Sequence, residues 1–162
     1  MSKVEVHILA FNEQDFLPFC LRHYATFAER IIVHDGFSTD RSREIAREHG
    51  AEVRDFHSDG VNDILFKRLK ETCWNGTDAD WVVTADADEL IYFPEGSFHT
   101  LAAYEADKVA VVKPIGFEMF SDEMPTLDRG QVYQQVTKGY RDQQWYSKPI
   151  LFRPSLIKKF TF

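Results

Sequence analysis

Residues 81–93 read WVVTADADELIYF. Trp81, Val82 and Val83 at one end, and Ile91, Tyr92 and Phe93 at the other, are core-type side chains. Between them Asp86, Asp88 and Glu89 place three carboxylates within four residues. Carboxylates held within several ångström of each other repel, and one is driven to protonate unless a cation intervenes. On an extended chain, residues two apart share a face, so Asp86 and Asp88 converge. A hard divalent ion, Mn²⁺ or Mg²⁺, resolves the repulsion: it takes oxygen ligands and keeps positions for water and substrate phosphates. Asp-X-Asp alone fits many surface turns. Its place at the end of a buried strand, with Glu89 adjacent, is what points to a metal.

The rest of the chain gives that strand its setting. With 162 residues, 44% of them hydrophobic and 14% aromatic, the chain has the size of one domain and enough apolar surface for a core. No apolar run approaches the ~18 residues of a membrane span, and MSKVEVHILAFNE lacks the layout of a signal peptide. A cytoplasmic protein is the simplest reading. Cys20 and Cys73 lie far apart in helix-like stretches and read as reduced core thiols. The net charge of −7 argues against nucleic-acid binding. The charge is uneven: residues 138–162 carry six Lys+Arg and one Asp, leaving an excess of acid before them. This basic end, with Lys148, Arg153, Lys158 and Lys159 between apolar blocks, reads either as a strand pair with charged edges or as an anion or membrane-surface patch. The second reading would bring the chain to the inner membrane face as a peripheral protein. LIKKFTF is an apolar, strand-like close, as expected of a fragment of a longer protein or of an end packed on a partner.

Strand and helix patterns alternate. VEVHILAF (4–11) suits a buried strand, and NEQDFLPFCLRHYATFAE a helix with Pro18 in its first turn. RIIVHDG is a second strand. STDRSREIAREHG is a helix with Thr39 or Asp40 as N-cap and Gly50 as C-cap. AEVRDF is a third strand. VNDILFKRLKETCWN is a helix with Ile64, Leu65, Leu69 and Cys73 on one side. After the acid-tipped fourth strand come a short helix (FHTLAAYEAD), a fifth strand (KVAVVKPIGFEMF) and a sixth at Lys148–Phe152. This order predicts an α/β fold: a mainly parallel sheet with right-handed crossovers and helices on both faces. Ligands of such sheets bind at the carboxyl ends of the strands, where strand order reverses.

Three strands exit into polar clusters on that edge: Asn12-Glu13, then His34-Asp35-Gly36 followed by Ser38-Thr39-Asp40, and Asp86-Ala87-Asp88-Glu89. Asp35, between strand and helix, is either a turn former before Gly36 or an acceptor for a base N–H or ribose hydroxyl. Asn12 and Glu13 also fit a plain helix start. Together the clusters describe a nucleotide whose metal-bound diphosphate lies across the strand ends.

At this point the motifs ILAFNEQDFLPFCLRHY, IIVHDGFSTDRSREIAREHGAEV and DADWVVTADADELIYF resemble family 2 glycosyltransferases, in the branch with Glu after Asp-X-Asp. The resemblance is good over residues 4 to 93 and looser over YSKPILFRP. It implies a Rossmann-like GT-A nucleotide-binding sheet in one domain over 1–162, with a nucleotide-sugar half (1–93) and an incomplete acceptor half (94–162). It implies a nucleoside-diphosphate sugar donor, a carbohydrate or glycolipid acceptor, and inverting transfer in cell-envelope synthesis. Asn12 and Glu13 would line the nucleotide pocket and Asp35 would contact base or ribose. Asp86 would sit near the ribose or a metal-bound water, and Asp88 would ligate Mn²⁺ or Mg²⁺. Lys67 or Arg68 would approach the diphosphate, unless both belong to a solvated helix face. The base that deprotonates the acceptor would follow the fifth strand, where Asp122 or Glu123 is the candidate and a solvated acidic loop the alternative. The short acceptor half admits a second reading, a non-catalytic sugar-nucleotide-binding module.

Overall fold

The computed structural model describes residues 2–57, 62–141 and 147–158. The chain alternates from its start: β1 (Val4–Ala10), α1 (Leu17–Tyr24), β2 (Arg30–Asp35), α2 (Ser42–Glu48), β3 (Glu52–Asp55), α3 (Asp63–Thr72), β4 (Trp81–Asp86) and α4 (Ser97–Ala106). Then follow β5 (Val111–Val112), β6 (Phe117–Phe120), a short α5 (Val132–Gln135), β7 (Lys138–Arg141) and β8 (Leu151–Phe152). The main sheet has the order β3-β2-β1-β4-β8-β5. β1, β2, β3 and β4 are parallel, and β8 runs antiparallel between β4 and β5. Strand order reverses between β1 and β4, which sets the crevice for a ligand at their carboxyl ends.

β1 is buried along its whole length, as a central parallel strand covered on both faces must be. Its period of two sorts the faces. Val4, Val6 and Ile8 join Trp81, Val83, Ala85 and the α1 side chains Leu17, Cys20 and Tyr24 in the larger core. On the opposite face Val82 and Phe152 pack with Trp74 and Cys73 from the end of α3. That second face also carries Glu5, His7, His34 and Thr84, all buried.

Several expectations change. Pro18 does sit in the first turn of α1. The N-cap of α2 is Arg41, whose own side chain makes no capping bond; Asp40, one residue earlier, accepts from the Ser42 N–H that opens the helix. Ile64 is 79% exposed and Lys70 is the buried residue of α3, so the helix packs a cation inward. Tyr92 is also exposed, because the chain turns out of the sheet after Asp86 and strand alternation ends there. The expected fifth strand divides around Pro114, which has no N–H to donate to a sheet. β5 stays in the main sheet, while β6 leaves to form an antiparallel pair with β7. The expected sixth strand shortens to β8. Lys159 and the final residues 160–162 lie outside the described residues. Among the described residues no helix is long and apolar enough to cross a membrane.

Candidate functional site at the carboxyl ends of the strands

The loops after β1 and β2 are stitched together through side chains. Asn12, Glu13 and Gln14 donate their backbone N–H groups to Ser38 Oγ (2.9 Å), Ser42 Oγ (2.7 Å) and Asp40 Oδ2 (3.0 Å). In return Asn12 Oδ1 accepts from the Thr39 N–H at 2.8 Å. Asn12 holds φ +57, a left-handed conformation that Asn tolerates better than most residues. Asp40 therefore ties the loops, accepting from Gln14 and from the Ser42 N–H at 2.9 Å. Asp35 is fully buried. Its Oδ2 accepts from the Ser38 N–H (3.0 Å) and pairs with Arg43 (2.7 Å), which also holds Asp55 at 2.7 Å. Asp35 Oδ1 is buried with no partner among the described residues.

The turn after β4 is built around Glu89. Its N–H donates to the Asp86 carbonyl (3.0 Å), and its Oε2 accepts from the Asp86 N–H (3.0 Å). The Tyr24 hydroxyl donates to the Glu89 carbonyl, which fastens the turn to α1. Two ammoniums enter from distant elements: Lys70 of α3 lies 2.7 Å from Asp86 Oδ2 and 3.9 Å from Glu89 Oε2, and Lys148 lies 2.7 Å from Glu89 Oε1. Burial acts to raise the Glu89 carboxyl, but Lys70 and Lys148 outweigh it and hold Glu89 below the usual range. Burial likewise opposes charge on Lys148, and Glu89 overcomes it, keeping Lys148 above its ordinary value.

Asp88 stands at the surface of this turn, exposed to solvent. Loss of water around its carboxyl, then the charges of Asp86 and Glu89, push its pKa up, with Lys148 offsetting part of the effect. Glu13 is raised in the same way, by burial first and then by Asp88. Glu13, Asp86, Asp88 and Glu89 thus share one electrostatic neighbourhood. Four carboxylates set against Lys70 and Lys148 leave two negative charges, which suits one divalent cation. The donor set is all oxygen, the kind that Mn²⁺ and Mg²⁺ take.

The remaining expected site residues lie elsewhere. Lys67 and Arg68 are exposed on α3, and the lysine that meets the acids is Lys70. Asp122 and Glu123 occupy an exposed loop after β6, where the Glu123 N–H donates to Ser121 Oγ and its carboxylate lies 3.9 Å from Arg129. Among the described residues no hydrogen bond or ion pair joins them to the acid turn. Sequence reading missed Lys70 and saw Lys148 only as part of a basic stretch. The signal for Lys70 was its position three residues before Cys73, on the same helix face.

The glycosyl transferase family 2 model matches residues 5–157, and this chain belongs to that family. A TPR repeat-containing protein of Synechococcus elongatus is 32% identical over 89 residues, covering 55% of this chain and 21% of that protein. Residues 1–349 of S. aureus TarS superimpose with a TM-score of 0.53 at 16% identity, covering 67% of this chain and 33% of that solved chain. Glucosyl-3-phosphoglycerate synthase of Mycobacterium tuberculosis, solved with Mn²⁺, UDP and glucosyl-3-phosphoglycerate, gives 0.42 at 21% identity over 53% of this chain and 33% of that one. The chain thus spans about a fifth of the curated relative and about a third of these solved chains.

Proposed function

We propose that this chain carries the donor site of a metal-dependent glycosyltransferase, which moves a sugar from a nucleoside-diphosphate sugar to an acceptor hydroxyl with inversion. Its setting would be cell-envelope polysaccharide or glycolipid synthesis. The observation that carries this reading is the acid cluster at the strand-order switch, where Glu13 and the three acids of the turn after β4 exceed Lys70 and Lys148 by two charges. Asp88, with Asp86, would hold Mn²⁺ or Mg²⁺. Once bound, the ion supplies Lewis-acid stabilisation of the departing diphosphate. Lys70 and Lys148 orient Asp86 and Glu89 and add positive charge where negative charge develops on the leaving group, an arrangement preset before reaction. Asn12 and Glu13 line the nucleotide pocket through the stitched loops, and Asp35 Oδ1 is the acceptor left for base or ribose. Deprotonation of the acceptor falls to Asp122 or Glu123. Their distance from any contact with the acid turn is what favours the second reading, a sugar-nucleotide-binding module.

Calorimetric titration with UDP, GDP and other nucleoside diphosphates, with and without Mn²⁺, tests the donor site. Binding should require the ion and fall at least tenfold in Asp88→Asn. Metal-indifferent binding, or an unchanged Asp88→Asn, sinks the metal role. Donor-sugar hydrolysis separates enzyme from module: turnover dependent on Mn²⁺ supports the transferase, and binding without turnover on any donor supports the module.

A further inference from the structure

The sheet face beneath α3 contains a second, unrelated group of ligating side chains. His7 of β1 is fully buried and His34 of β2 nearly so. Their rings stack at 5.2 Å with 19° between planes, and His7 Nδ1 lies 2.9 Å from His34 Nε2. Cys73, at the C-cap of α3, closes the group. One ligand atom from each residue lies within 4.8 Å of the others. We propose that His7, His34 and Cys73 form a structural Zn²⁺ site, separate from the oxygen-rich donor site.

The surroundings fit such an ion. Tetrahedral zinc with imidazole and thiolate ligands needs ligand atoms about 3.3–3.6 Å apart, as follows from its bond lengths. The two nitrogens open by less than half an ångström to reach that, and the sulfur closes in. His7 Nε2 lies 2.8 Å from Glu5 Oε1. A carboxylate on the outer nitrogen fixes the tautomer so that Nδ1 presents its lone pair inward, the usual support of a metal-bound histidine. Glu5 is itself held in place by Arg30, whose guanidinium lies 3.0 Å from Glu5 Oε2. Thr84 registers opposite His7 on β4, and its Oγ1 is buried with no partner among the described residues. It supplies a hydrogen-bonding oxygen on the face where a fourth, water ligand belongs. Binding releases one proton, from the Cys73 thiol to solvent, and the proton that His34 Nε2 donates to His7 moves to His34 Nδ1. The dication is then balanced by the thiolate and by Glu5. Cys73 follows Lys70 by three residues, so zinc here pins the end of α3 that delivers the ammonium to Asp86.

The test is Co²⁺ titration of the reduced, chelator-stripped full chain, read by absorption. The expected result is one equivalent bound with a sulfur-to-cobalt charge-transfer band in the near ultraviolet, displaced by equimolar Zn²⁺. Cys20→Ser should keep the band. Since Cys20 and Cys73 are the chain's two cysteines, that assigns it to Cys73 even if Cys73→Ser fails to fold. Cys73→Ser should abolish the band, and His34→Gln should weaken binding at least tenfold. Asp88→Asn should leave the band unchanged, which separates this site from the donor site. Absence of the band in the unmodified chain, or its loss in Cys20→Ser, overturns the proposal.

Discussion

Lys70 carries the positive charge that the acid turn lacks in its own stretch of sequence. It is buried with its ammonium on Asp86, and Asp86 is itself only partly exposed. Removing one partner of such a pair leaves a carboxylate beside Glu89 with less compensation. Lys70→Met should therefore cost roughly 1–3 kcal/mol, whereas Lys67→Met, on an exposed position, should stay within about 0.5 kcal/mol. Urea denaturation midpoints of the two variants check the difference. Glu89 belongs to the same scale. In sequence it is a third acid of unclear purpose; in the fold it closes the turn through its backbone and receives both lysines.

At the level of elements, the two loops after β1 and β2 act as one unit. Asn12 serves it twice, with its left-handed backbone and with the Oδ1 that accepts from Thr39. Asn12→Ala forfeits the acceptor and strains the backbone, and should destabilise by about 1–3 kcal/mol. Asn12→Asp should recover much of that loss, since it keeps an acceptor oxygen and tolerates φ > 0; thermal unfolding of both variants measures the recovery. The alternation from β1 to β4 was readable because the apolar patterns of β1, α1 and β4 survive in their burial, while α3 departs from its pattern with Ile64 outside and Lys70 inside. The division of β5 from β6 was not, since KVAVVKPIGFEMF is β-prone throughout. Which sheet each half joins depends on β7 and β8, far along the chain.

Across the whole molecule, His23 joins α1 to the segment following the acid turn. Its Nε2–H donates to the Ile91 carbonyl at 2.8 Å, and its ring meets Tyr24, Phe27 and Tyr133 edge-on. Burial lowers its pKa below 6.5, with the Ile91 carbonyl opposing. The unfolded chain therefore takes up a proton on acidification before the native one does. Stability from this group is complete above pH 6.5 and declines as pH falls through the lowered native value. His23→Gln should flatten the dependence of the urea midpoint over that window, and an unchanged slope would assign it to other groups.

Sequence patterns alone carry the alternating parallel sheet, the edge to which the polar loops run, and the acids Asp86, Asp88 and Glu89 at the end of β4. Those features are local: period-two and helical patterns, turn residues and short spacings record them directly. Long-range packing sets which cations meet the acids, buries Asp35 against Arg43, and brings His7, His34 and Cys73 together beneath α3. Each of these joins residues from different elements. Their meeting depends on strand order and on which face of α3 turns inward, and packing sets both over the whole chain.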